Sequence, residues 1–143
     1  MANLERALQI AVAAHAGQQD KNGAPYIFHP LRVMTRCTMP NARIVALLHD
    51  VVEDTDVTLE QLEAEGFSAE VLATLRLVTH HPDVSYDDYI TLILTDRTAI
   101  EVKMADLEDN SDIRRLQTVD EKTMERLNKY LLAYRRLSAA RDG

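Results

Sequence analysis

Apolar residues recur along this chain at three- and four-residue steps. No stretch alternates with period two for long enough to demand a strand, so the pattern predicts an all-α fold of about seven or eight helices. Leu4, Leu8, Ile10, Ala11, Val12 and Ala14 mark a first helix over 4–16, with Gly17 as its stop. The polar run AGQQDKNGAP, 16–25, reads as a loop. Pro25 suits the first position of a second helix, PYIFHPLRVMTRC, in which Pro30 removes a backbone donor and marks a kink or a restart. Pro40-Asn41 closes that helix, and the Asn41 side chain caps a third. Thr58 and Gln61 are spaced as the capping box of a short helix ending near Gly66. The segment 68–79 follows, with Val71, Leu72, Leu75 and Val78 on its inner face. Ser85-x-x-Asp88 opens a helix carrying Tyr86, Tyr89, Ile90, Ile93 and Leu94; Asp96-Arg97 breaks it, and 98–110 is the next. Thr118-x-x-Glu121 reads as the capping box of the last helix, where Met124, Leu127, Leu131 and Tyr134 predict one buried stripe.

The third helix, within NARIVALLHDVVEDT (41–55), carries the chemistry. A step of roughly 100° per residue puts Val45, Leu47, Leu48, Val51 and Val52 on one side and His49, Asp50, Glu53 and Asp54 on the other. His49 stacks on Glu53 and Asp50 on Asp54, so four ionisable groups share one patch. Crowded carboxylates repel each other and lose hydration, costs that a divalent cation relieves. The spacing alone also suits an exposed acidic helix end with an incidental histidine.

Two residues elsewhere add weight to the metal reading. His29, between Phe28 and Leu31, should face inward. Asp106 sits among Val102, Met104, Ala105 and Leu107, with Asn110 one helical turn on. Singly, these residues read as a hydrogen-bonded core histidine and a solvated acid. Together with His49 and Asp50 they form a mixed nitrogen and oxygen set from three helices, suited to Mn²⁺, Fe²⁺ or Zn²⁺ with positions left open for water. His15 reads as a brace for the loop after the first helix, His80 and His81 as solvated loop residues, and Tyr86 and Tyr89 as core or pocket wall. Lys103, one turn before Asp106, and Arg114 and Arg115 are either phosphate partners or surface charge.

Composition narrows the setting. With 143 residues, 46% hydrophobic and 27% charged, the chain reads as one globular domain over 1–143; four Gly and four Pro, nowhere clustered, leave no linker. The one cysteine, Cys37, cannot form an intrachain disulfide, which fits a reducing compartment and a cytoplasmic location. ALQIAVAA followed by AHA faintly imitates a signal peptide, but Glu5 offsets Arg6 and Gln9 interrupts the apolar run. No stretch is long enough to span a membrane. A net charge of −7 argues against a nucleic-acid partner, which needs a basic footprint, but leaves room for a small anionic ligand; oligomeric state is not legible.

The order His29, His49-Asp50, Asp106 resembles the H…HD…D signature of HD-domain metal-dependent phosphohydrolases. The fuller set AHAGQ (14–18), GAPYIFHPLRV (23–33), ALLHDVVEDT (46–55), SYDDYI (85–90) and VKMADLEDN (102–110) is similar to the hydrolase domain of the RelA/SpoT family, here as a stand-alone small alarmone hydrolase. The resemblance implies a compact helical bundle of the HD type. It implies His29, His49, Asp50 and Asp106 as ligands of Mn²⁺, with Glu53 and Asp54 as the pair that orients and activates the attacking water. Asn110 would help hold the nucleotide, and Lys21 and Lys103 are further substrate-contact candidates. The implied reaction removes the 3′-diphosphate from (p)ppGpp, the alarmone of the stringent response, giving GDP or GTP and pyrophosphate. One position departs: where the family carries a basic residue that contacts guanine, nine positions before the PYIxHP histidine, this chain has Asp20. That departure keeps another nucleotide open, such as the 2′-phosphate of NADPH or an adenine alarmone. A reading from another class is a non-catalytic nucleotide sensor.

Overall fold

The computed structural model describes residues 2–143. The elements in order are α1 (Leu4–Ala14), α2 (Phe28–Arg36), α3 (Pro40–Asp54), α4 (Leu59–Glu65), α5 (Ala69–Val78), α6 (Tyr86–Ile93), α7 (Arg97–Asn110), a single 3-10 turn (Ile113–Arg115) and α8 (Glu121–Asp142). Among the described residues there is no strand, only an isolated bridge between Gln19 and Pro25. The all-α expectation and its helix count are met.

Helix α3 is the axis on which the others are laid. It packs against α1, α2, α5 and α7, and Ala42, Val45, Ala46, Leu47, Leu48 and Val51 are wholly buried. The two-sided helix expected from the residue spacing is buried all round in its middle, because α2 and α7 cover the His49–Asp50 side as well. Only at its last turn do Glu53 and Asp54 reach solvent.

Several boundaries differ from expectation for identifiable reasons. Helix α1 stops at Ala14; His15 caps it and Gly17, at φ 82°, turns the chain in a left-handed conformation open to glycine. Pro25 lies outside α2, because Tyr26 N donates to Gln18 O at 2.9 Å and Asp20 N to Ala24 O at 2.9 Å, folding the loop back on itself. Pro30 is the third residue of α2, where a backbone N–H would have no intrahelical acceptor, so its missing donor is not needed. Asn41 is inside α3, whose first residue is Pro40 and whose cap residue, Met39, makes no side-chain bond. Glu101 of α7 does that work from a distance, accepting from Thr38 N at 2.7 Å and Met39 N at 2.9 Å.

The Thr58/Gln61 capping box forms, Gly66 closes α4 at φ 98°, and Ser68 and Ser85 cap α5 and α6. At α8 the cap is Asp120, which accepts from Thr123 N at 2.8 Å, and not Thr118. The expected stripe is displaced: Met124 is 55% and Leu131 49% exposed, while Thr123, Ala133 and Leu137 are buried. Polar ties set this roll, since Tyr134 donates to Glu108 of α7 and Arg136 to Asp87 of α6. Asp120→Ala should therefore lower stability by about 0.5–2 kcal/mol, and Thr118→Ala should change it far less; urea unfolding of both variants checks the assignment. Among the described residues no helix is long and apolar enough to cross a membrane.

Candidate functional site

Three helices bring the four expected ligands together. His29 is the second residue of α2, His49 and Asp50 lie on α3, and Asp106 lies on α7; all four are only 4–6% exposed. Their atoms close a ring. His29 Nε2 is 2.9 Å from Asp106 Oδ1 and 3.4 Å from Asp50 Oδ2, while His49 Nε2 is 3.0 Å from Asp50 Oδ1 and 4.0 Å from Asp106 Oδ1. Neighbouring ligands about 2.1 Å from one ion lie about 3 Å apart, close to three of these four separations, with the His49–Asp106 side wider. Ligand atoms of His49, Asp50 and Glu53 also fall within 4.8 Å of one another, which places Glu53 at the edge of this ring. The donor set makes it a possible metal site.

The electrostatics point the same way. Burial alone would keep His29 and His49 neutral, yet the surrounding carboxylates outweigh it and hold both imidazoles up at about 9. Burial likewise opposes charge on Asp50, but His49 beside it keeps the carboxyl down at about 2. Asp106 is held far below the usual carboxylate range against its burial, chiefly by Lys103. Two buried carboxylates thus call for positive charge. A divalent cation supplies that charge while leaving imidazole lone pairs free to coordinate.

Both ring carboxylates are steadied from outside the ring, whereas His49 Nδ1 is buried without a partner. Tyr26 Oη donates to Asp50 Oδ2 at 2.7 Å, Lys103 Nζ to Asp106 Oδ2 at 3.0 Å, and Asn110 Nδ2 to Asp106 Oδ1 at 3.3 Å. Lys103 is buried, with its ammonium 5.3 Å from the Tyr89 ring centroid. It is thereby paired with the Asp106 carboxylate and does not line the cavity described next. Glu53 Oε1 accepts from His80 N at 2.8 Å, and burial raises its carboxyl above the usual range against the pull of His49. Burial and the charge of Asp50 raise Asp54 too. Both acids are made more basic than a solvated carboxylate, as a proton acceptor should be.

Beside the ring opens a cavity of about 650 Å³ whose lining includes Lys21, Asn110, Arg115, Lys122 and Arg126, with Tyr26 and Tyr130 as aromatic wall. Lys21 and Asn110 both line this cavity. Asp20 Oδ1 accepts from Asn22 N at 2.8 Å and Ala24 N at 3.0 Å, and its Oδ2 lies 3.9 Å from Arg115. It is a turn-former as well as a lining residue.

Of the remaining histidines, His81 is exposed as expected, and the other two brace loops. His15 bonds Gln18 Oε1 at 2.8 Å and braces its loop as expected. His80 is not merely solvated: it stacks on Tyr89 at 4.5 Å and its Nε2 bonds Val84 O at 2.7 Å, so it shapes the loop that anchors Glu53. Tyr26, Asp109, Lys122 and Arg126 escaped the sequence reading. Asp109 follows Asp106 by three residues and Tyr26 precedes His29 by three, a spacing that was the one signal for them.

The chain is 36% identical over 119 residues to a guanosine-3′,5′-bis(diphosphate) 3′-pyrophosphohydrolase of Aquifex aeolicus, covering 75% of this chain and 17% of that protein. It is 40% identical over 83 residues to one of the same name from Borreliella burgdorferi (55% and 12%). With a GTP pyrophosphokinase of Streptomyces coelicolor it shares 48% over 66 residues (43% and 8%). The chain thus spans between 8% and 17% of the length of these three curated relatives. A solved structure described as a metazoan ortholog of SpoT that hydrolyzes ppGpp superposes with a TM-score of 0.74 at 28% identity, over all of this chain and 87% of the other. No protein-family model matches the chain.

Proposed function

We propose that the chain, whose relatives and fold support an HD-type RelA/SpoT hydrolase-like domain, is a Mn²⁺-dependent hydrolase removing the 3′-diphosphate of (p)ppGpp, acting as one domain over 1–143. The observation that carries this is the ring of His29, His49, Asp50 and Asp106, joined through Tyr26 and Asn110 to a cavity lined by Lys21, Arg115, Lys122 and Arg126. Net charge of the chain is −7, so these cations make a local anion site on an acidic protein.

His29, His49, Asp50 and Asp106 would hold a divalent ion, which would supply a Lewis acid to screen phosphate charge and acidify water. The chain's own residues supply the rest. Glu53, fixed by His80 N, accepts a proton from the attacking water, and Asp54 beside it orients that water. The water oxygen bonds to the nearer phosphorus as the bond from the ribose 3′ oxygen to that phosphorus breaks, the 3′ oxygen takes up the proton that the water gave up, and pyrophosphate leaves. Arg115, Lys122 and Arg126 hold the phosphates, and Asn110, between cavity and ring, fixes the ribose end. A sensor would need no such pair of free carboxylates, since a structural centre is closed by protein ligands. In this reading the protein works in the reducing cytoplasm on a small-molecule nucleotide, with no nucleic-acid or membrane partner; buried, unpaired Cys37 supports it.

The test is pyrophosphate release from guanosine tetraphosphate with Mn²⁺ and with chelator. Metal-dependent release is expected; a protein that takes up no divalent metal and turns over no nucleotide would sink the proposal. Asp20 favours one further substrate reading. Tied into its turn, it offers a carboxylate where the resemblance calls for a guanine-stacking cation. Guanine selectivity is therefore expected to be weak: across a panel including NADPH and adenine nucleotides, rates should differ less than a hydrogen-bonded base contact would impose. A strong preference for guanosine tetraphosphate would show that other residues read the base.

A further inference from the structure

Asp109 is completely buried at the end of α7, with His29 and three arginines around it. Its Oδ2 lies 2.6 Å from His29 Nδ1 and 2.9 Å from Arg115 Nη1, and its Oδ1 accepts from Arg32 Nε at 2.7 Å and Arg36 Nη1 at 2.9 Å. Arg115 Nη1 also reaches the Asp109 carbonyl at 2.7 Å. Arginine cannot give up its proton, so three guanidiniums keep this carboxylate an acceptor toward His29. His29 can then meet it only with an Nδ1–H, which leaves Nε2, the nitrogen facing Asp106 and Asp50, as the ring's coordinating atom.

We propose that Asp109 is a positioning residue for the metal centre, holding His29 in the Nδ1–H tautomer and fixing its ring plane, while the arginines lock Asp109 itself. The inference rests on the metal-centre reading above. A buried carboxylate behind a ligating imidazole orients it and raises its basicity, and losing such a partner costs about 10–100-fold in metal affinity. Arg115 is shared between this carboxylate and the lining of the substrate cavity, so the wall that meets phosphate and the ligand that meets metal are braced by one side chain.

Calorimetric Mn²⁺ titration of the metal-free protein separates this role from simple stapling of α2 to α7. Asp109→Asn should weaken Mn²⁺ by about 10–100-fold at retained helicity, with excess Mn²⁺ restoring most of kcat. Glu101→Ala, which removes the tie from α7 to Thr38 and Met39 and touches neither His29 nor Asp109, should lower stability and leave affinity within about threefold, well short of the loss expected on removing the carboxylate behind His29. Wild-type affinity in a folded Asp109→Asn would overturn the proposal. Should Asp109→Asn fail to fold, long-range ¹⁵N–¹H spectra of the Zn²⁺-loaded wild type read the tautomer directly: a His29 Nδ1–H signal is expected, and an Nε2–H signal overturns the assignment. If neither Mn²⁺ nor Zn²⁺ binds the wild type, the metal-centre reading fails, and this inference with it.

Discussion

Replacing Asp50 by alanine should abolish both metal uptake and hydrolysis. Asp50 is the hinge of the ring: one oxygen lies 3.0 Å from His49 Nε2, the other 3.4 Å from His29 Nε2, and Tyr26 Oη fixes the latter at 2.7 Å. Alanine leaves two imidazoles and the single carboxylate of Asp106, a set with too few donors and half the negative charge. The buried Tyr26 hydroxyl loses its acceptor as well, and breaking one member of a buried charged cluster costs about 3–5 kcal/mol. The variant must therefore be shown to keep its helicity; Asp50→Asn, which preserves shape and the acceptor for Tyr26, serves as the gentler companion. Elemental analysis after metal loading, read beside pyrophosphate release, checks both halves of the expectation. A folded Asp50→Ala with normal metal content would remove Asp50 from the ligand set.

Glu53→Gln should separate chemistry from coordination. Glu53 sits at the edge of the ring and its Oε1 accepts from His80 N at 2.8 Å, a bond that a glutamine carbonyl can keep. Loop, helix and metal should then persist while the proton acceptor is gone. General base assistance is worth roughly 10²–10⁴-fold, and kcat should fall in that range at near-normal Mn²⁺ affinity. Asp106→Asn should behave in the opposite order, weakening the metal first and losing rate as a consequence that excess Mn²⁺ partly reverses. The effect there is sharpened by Lys103, whose buried ammonium loses its anionic partner at 3.0 Å. If Glu53→Gln sheds its metal instead, Glu53 belongs among the ligands and Asp54 becomes the candidate base.

Much of this was legible in the residue order alone. Helical periodicity, the Thr58/Gln61 box, Gly66 and the Ser68 and Ser85 caps are local matters, settled within four residues by backbone hydrogen bonding and steric freedom. So was the pairing of His49 with Glu53 and Asp50 with Asp54, since helix geometry fixes it. What tertiary structure decided depends on partners far away in the chain. The cap of α3 came from Glu101, not Asn41, and the roll of α8 came from Glu108 and Asp87, because a helix end or face takes whichever polar group packing brings to it. Lys103 read as either phosphate partner or surface charge, and the fold buried it against Asp106 and Tyr89. Asp109 carried no reading of its own in the residue order. Only when α2 crosses α7 do His29, Arg32 and Arg36 reach it, along with Arg115 from the turn beyond α7, and a buried carboxylate acquires its meaning from the charges that the fold gathers round it.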